Sequence, residues 1–147
     1  QRTMLLDDYF ISYRKTKLKK NEFIKEIIIP INKENILKCY KISKRIDDDI
    51  SSVFMAINAN IKNNTFKSIK IVCGGMAEIP KIAKLTQKYL LNRKFNAENI
   101  NEAKNIIAKE FNPIDDMRAS KEYRKKISQN LLERFLHEQN QINTAVY

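Results

Sequence analysis

From Ser52 to Ile61 the sequence alternates: Val53, Met55, Ile57, Ala59 and Ile61 are interleaved with Phe54, Ala56, Asn58 and Asn60. A period of two places the two sets on opposite faces of an extended strand, so this stretch predicts a sheet with one face more deeply buried. Asn63-Asn64 follows, and asparagine tolerates positive φ, which marks a turn. Phe66 to Cys73 is the returning strand, with Ile69, Ile71 and Cys73 on one face. The pair reads as a β-hairpin, and the rest of the chain has to be arranged around it.

Upstream, Ile36 to Ser43 supports another strand. The β-branched run Ile27-Ile28-Ile29 predicts a further one, ending at Pro30, which has no N–H to give a ladder. Directly after the hairpin comes Gly74-Gly75, the only glycines in the chain. Their position calls for a sharp bend or a close backbone approach.

After Pro80 the period becomes helical. Ile82, Leu85, Tyr89 and Leu90 form one stripe. Ile100, Ala103, Ile107 and Phe111 form a second, closed by Asn112-Pro113. Tyr123, Ile127, Leu131 and Phe135 form a third, capped by Ser120 or Asp116. Residues Gln139 to Tyr147 lose the pattern and are expected to fray. Strands followed by helices point to an α+β fold: an antiparallel meander of three to four strands packed against a three-helix layer.

The 147 residues suit one domain. Lys and Arg outnumber Asp and Glu by 28 to 17, a formal net charge of +11. The excess is mostly scattered lysine, whereas base readout leans on arginine, so nucleic acid is not an expected partner. No apolar run is long enough to span a bilayer, and no membrane role is expected. Cys39 and Cys73 lie in apolar, strand-like runs without metal spacing, which predicts two buried, reduced thiols in a cytoplasmic protein. The chain opens on Gln1 and Arg2-Thr3-Met4-Leu5-Leu6 reads like the middle of something, so a fragment or processed piece of a longer protein is expected.

The densest chemistry lies in Lys41-Ile42-Ser43-Lys44-Arg45-Ile46-Asp47-Asp48-Asp49-Ile50. Three carboxylates could bind a hard cation, but Lys44 and Arg45 are built-in counter-ions. Asp47 or Asp48 accepting backbone hydrogen bonds in a turn, or pairing with Arg45, is preferred. His137, the sole histidine, lies among charged residues late in the third helix and reads as solvated. Gly74-Gly75-Met76-Ala77 lacks the later glycine and Lys-Ser/Thr of a phosphate loop, so a bend is the better reading.

Four stretches, in order, resemble the FAD-binding subunits of xanthine dehydrogenases and related molybdenum hydroxylases. They are Tyr9-Phe10-Ile11-Ser12-Tyr13-Arg14-Lys15-Thr16; Tyr40 to Ile50; Cys73-Gly74-Gly75-Met76-Ala77 with Pro80; and Asp116-Met117-Arg118-Ala119-Ser120 with Tyr123-Arg124. The resemblance implies that residues 1–35 end a preceding FAD-binding lobe and residues 36–147 form a domain like the C-terminal domain of CO dehydrogenase flavoproteins. It also implies a cytoplasmic, multi-subunit oxidoreductase. In such an enzyme FAD passes electrons from iron-sulfur clusters to NAD while a molybdenum cofactor oxidises hypoxanthine or xanthine. The implied partners are the N-terminal half of the FAD domain, an iron-sulfur domain and a molybdenum-binding subunit. By the same resemblance Lys41 contacts FAD, Ile24 packs on the flavin, Asp48 lies beside the flavin edge, and Arg14 and Arg45 add to the local field. The family's glycine-rich FAD-phosphate stretch has no counterpart among these residues, so the isolated chain is expected to bind FAD weakly or not at all and to be inactive. A non-catalytic docking module of a carbon monoxide, aldehyde or nicotinate dehydrogenase is the alternative.

Overall fold

The computed structural model describes residues 1–142 and Thr144. A short helix, α1 (Leu6–Tyr9), precedes a small hairpin of β1 (Phe10–Ser12) and β2 (Lys15–Thr16). A four-stranded antiparallel sheet follows in the order β3 (Ile36–Ile42), β4 (Val53–Lys62), β5 (Thr65–Gly74) and β6 (Lys81–Ile82). Then come α2 (Lys84–Leu90), α3 (Ala97–Glu110) and α4 (Lys121–Gln139). The expected α+β meander with three covering helices is the architecture found. Among the described residues no helix is long and apolar enough to cross a membrane.

The alternation of β4 explains its central place. Val53, Met55, Ile57 and Ala59 are fully buried, and across the ladders they face Ile42, Tyr40, Lys38 and Ile36 on one side. On the other side Met55 faces Cys73, Ile57 faces Ile71 and Ala59 faces Ile69. Asn63 (φ 50°) and Asn64 (φ 54°) both adopt the left-handed conformation between Lys62 and Thr65, the requirement of a tight two-residue hairpin. A register shift at Asn60/Ile61 re-phases the strand so that Phe66 joins Ile69 and Ile71 in the core.

The helices close this inner face. α4 packs on β4, α2 on β5, and α3 bridges α2 and α4. Phe66, Phe95 and Phe135 form a chain of edge-on rings, with centroids 5.3 and 5.8 Å apart, that ties β5 to α4. Asn96 caps α3 by accepting the Asn99 N–H, and Ser120, not Asp116, caps α4 by accepting the Tyr123 N–H.

Several expectations change. Ile27, Ile28 and Ile29 lie in no strand and are exposed, because no neighbouring strand among the described residues supplies the partners a ladder needs. Ile82 belongs to β6, where it pairs with Val72. Leu85 is 59% exposed and Thr86 is buried instead, because Glu110 satisfies the threonine's polar groups. In α4, Leu131 and Phe135 are in the core, while Tyr123 is exposed and Arg124 takes the inward position. Cys39 is exposed on the outer face of β3, and only Cys73 is buried. α4 runs regularly to Gln139, and of the residues expected to fray, Asn143 and Ala145, Val146 and Tyr147 lie outside the described residues.

Candidate functional site: a charged loop at the end of the sheet

Residues 43–52 join β3 to β4. The neck is closed by the Ser52 N–H donating to the Ile42 carbonyl at 2.7 Å. Inside the loop, Asp49 does the work expected of Asp47 or Asp48. Its carboxylate accepts the Arg45 N–H at 3.1 Å and pairs with the Arg45 guanidinium at 3.8 Å. The Arg45 N–H, more than the guanidinium, holds the Asp49 carboxyl below its ordinary range. Ser43 Oγ donates to the Arg45 carbonyl at 2.7 Å, and Asp48 takes a left-handed φ of 50°. Ile46 is 95% exposed at the tip.

A second segment, Asp115 to Ser120, lies against the loop. Asp116 Oδ1 accepts the N–H groups of Arg118 (2.8 Å) and Ala119 (3.2 Å), forming a tight turn. Lys44 Nζ donates to the Met117 carbonyl at 2.7 Å, and Ser52 Oγ to the Arg118 carbonyl at 3.1 Å. Between loop and turn is an open depression of about 440 Å³, bordered by Lys44, Arg45, Arg118, Asp48 and Asp49. Ser43, Ser120 and Tyr123 border a neighbouring one of about 330 Å³.

The charges of this rim are mostly committed: Lys44 to a carbonyl, Arg45 to Asp49, Arg118 to Asp116. Asp48 makes no side-chain hydrogen bond or ion pair among the described residues, and neither does Lys41. Lys41 is exposed on the outer face of β3, opposite Phe54. The outer face carries Leu37 and Cys39, the half-buried Phe54, Ala56 and Val72, and the polar Asn58 and Lys70. A free ammonium beside the apolar strip of Phe54, Ala56 and Val72 is suited to a flat, partly anionic ligand.

The remaining predicted residues lie elsewhere. Arg14 is in the β1–β2 turn (φ 58°), with its guanidinium 5.4 Å from the Tyr13 ring centroid. Ile24 is exposed in an irregular segment. The side-chain hydrogen bonds of residues 1–26 all stay within that stretch, as in Arg2 to Glu22 and to the Lys17 carbonyl. Thus Arg45 and Asp48 share one depression, Lys41 stands at the strand leading into it, and Arg14 and Ile24 lie on two other exposed segments.

Residues 38–139 match the family model described as the CO dehydrogenase flavoprotein C-terminal domain, well over half of the chain. The chain belongs to that family. Xanthine dehydrogenase of Emericella nidulans is 34% identical over 93 residues, covering 61% of this chain and 7% of the relative. Nicotinate hydroxylase of the same organism is 29% identical over 147 residues, covering 95% of this chain and 11% of the relative. Among solved structures, the carbon monoxide dehydrogenase of Hydrogenophaga pseudoflava superposes with a TM-score of 0.79 at 20% identity, over 87% of this chain and 45% of that one. The chain therefore spans a small part of the curated relatives and under half of the structural one. The motif-level resemblance to molybdenum hydroxylase flavoprotein subunits holds at the level of the family.

Two important residues escaped attention as site components. Arg124 is buried beneath the loop, and Ser52 connects the loop to the 116–120 turn. The signal for Arg124 was present: it precedes Ser128, Leu131 and Phe135 on one helical stripe, so the period alone places it inward.

Proposed function

We propose that this chain forms one wall of the FAD site in a xanthine dehydrogenase-like molybdenum hydroxylase. The carrying observation is that Lys41, on the outer face of the strand entering the loop, and Asp48, lining the depression beside it, both lack side-chain partners among the described residues. Lys41 would offer positive charge to the cofactor, and Asp48 a negative neighbour at its rim. FAD, when bound, supplies the electron relay between iron-sulfur clusters and NAD. The fit is to one end of the cofactor only, because both glycines are used at the end of β5 and no glycine-rich phosphate cradle exists among these residues.

In this reading residues 1–35 end the preceding lobe and contribute Arg14 and Ile24, while residues 36–147 form the C-terminal domain. The complete cleft is cytoplasmic and requires the N-terminal half of the FAD domain. An iron-sulfur domain and a molybdenum-binding subunit deliver electrons taken from hypoxanthine or xanthine. Relatives named for nicotinate and carbon monoxide leave other substrates within the same reading. Exposure of Phe23, Ile27, Ile28, Ile29 and Ile31 favours a second reading as a docking module, since such a run suits contact with another polypeptide.

Flavin absorbance decides between them. Co-production with the N-terminal half of the FAD domain is expected to give one flavin per complex, and the chain alone little or none. Full flavin occupancy of the isolated chain would overturn the shared-site reading. Lys41→Ala is expected to weaken flavin retention about tenfold, which corresponds to about 1.4 kcal/mol. Unchanged retention would remove Lys41 from the site and leave docking as the role.

A further inference from the structure

We infer that Arg124 is a positioning residue that fixes the conformation of loop 43–52, so that the start of α4 governs how the loop presents Asp48. The cofactor-facing half of this inference rests on the function proposed above; the mechanical half does not.

Arg124 is the one charged residue that is buried among the described residues, with 3% of its surface exposed. Nη1 donates to the carbonyls of Ser52 (2.6 Å) and Gly75 (2.9 Å), and Nη2 donates to Asp116 Oδ1 (2.6 Å). Three separate pieces of chain therefore converge on one guanidinium: the end of the loop, the bend after β5, and the 116–119 turn. Burying a charge is costly, and an apolar side chain often serves packing better. What an apolar residue cannot do is hold two carbonyls and a carboxylate in one plane, and the fixed fork of arginine can.

Gly75 makes room for this arrangement. With φ at 76°, a Cβ there would stand 2.3 Å from the Ser52 oxygen and 3.0 Å from Arg124 Nη1. Ser52 is held at three atoms: its N–H by Ile42, its carbonyl by Arg124 and its hydroxyl by the Arg118 carbonyl. Lys44 is fixed to the same turn through Met117. Both stems of the loop are thus referenced to the turn that Arg124 and Asp116 hold. Burial pushes the Asp116 carboxyl up, but N–H donation from Arg118 and Ala119 and the Arg124 guanidinium outweigh it and keep it below its ordinary range, an ionised anchor at neutral pH.

Trypsin cleavage after Lys44 and Arg45 reports the loop, and cleavage within Lys15 to Lys20 serves as an internal reference. Arg124→Lys keeps the charge and loses the fork; cleavage in the loop is expected to accelerate about tenfold with the reference sites unchanged. Wild-type loop protection in Arg124→Lys would overturn the inference. If that variant does not fold, Asp116→Asn retains the guanidinium and weakens one anchor: about threefold faster loop cleavage is expected, and none would overturn it. In the complex with the rest of the FAD domain, Arg124→Lys is expected to shift the flavin absorption spectrum and midpoint potential. No flavin in the wild-type complex would defeat the proposed function while leaving the cleavage result intact. A loosened loop with an unshifted flavin would defeat only the cofactor-facing half.

Discussion

The Glu110 carboxylate, at the last residue of α3, receives the Thr86 hydroxyl at 2.7 Å inside the first turn of α2. It also accepts the N–H groups of Leu85 (2.8 Å) and Thr86 (3.0 Å), so one side chain caps a helix that has no cap of its own at Ala83. Glu110→Ala is expected to cost about 2 kcal/mol, because it strands buried donors without partners. Thr86→Val leaves the two backbone contacts in place and is expected to cost about half as much. Urea denaturation of both variants checks the order; equal losses would mean that capping is not the main contribution.

Phe135 and Phe23 are the same residue type in opposite settings. Phe135 is 1% exposed at the end of the aromatic chain, whereas Phe23 is 82% exposed. Phe135→Ala is expected to destabilise by about 3–5 kcal/mol and Phe23→Ala by under about 0.5 kcal/mol. Thermal or denaturant midpoints measured side by side test the contrast.

The hairpin turn offers a test in which a change stabilises. Asn63 and Asn64 both hold positive φ, and Asn-Gly is the preferred pair for such a turn. Asn64→Gly is expected to be neutral or stabilising by up to about 1 kcal/mol, and Asn63→Val to cost about 1–2 kcal/mol. The reverse order in unfolding midpoints would contradict the turn geometry.

Two ionisable groups give opposite pH trends. Burial pushes the Cys73 thiol up to about 12, beyond an ordinary value of about 8.5. A raised folded pKa means that its stabilising share is complete below the unfolded value and declines as pH rises from there towards 12. Cys39, being exposed, is expected to react at once with a thiol reagent at pH 8, and Cys73 only on unfolding. Two fast thiols in the native protein would contradict the burial of Cys73.

On the acid side, partial burial pushes the Glu138 carboxyl up, but hydrogen bonds from Arg134, Tyr40, Lys38 and Thr144 together hold it below its ordinary range. A depressed folded pKa gives stability that is present above the unfolded value of about 4.3 and lost as pH falls through the folded one. Glu138→Gln is expected to flatten the decline in melting temperature between pH 5 and about pH 2, the window in which carboxylates titrate. An unchanged slope would place the acid sensitivity elsewhere.

What the residues disclosed, and what they hid, divides along physical lines. β4, β5, the Asn63-Asn64 turn, the inward face of α3 and, in α4, Leu131 and Phe135 were legible because burial imposes a period, and a period survives in a bare string of residues. Thr86 was not, because its burial depends on Glu110, twenty-four residues away. The register shift at Asn60/Ile61 was hidden for the same reason, since it exists only between two strands. In the loop, charge marked the place but not the roles: Asp49 is the turn acceptor because it is four residues beyond Arg45 on a backbone that bends at Asp48. The glycine pair was legible as a close approach, but the groups that approach Gly75, the Ser52 carbonyl and behind it a guanidinium from α4, were not.

The exposed run from Phe23 to Ile31 has a practical consequence at the bench. A β-branched, nearly uncharged ribbon with a free backbone is the raw material of ordered aggregates, and Pro30 and Lys25-Glu26 are its only brakes. A preparation of this chain by itself should therefore lose clarity with concentration and time while its sheet and helices remain native, and its shelf life will be set by nine residues that contribute nothing to its core.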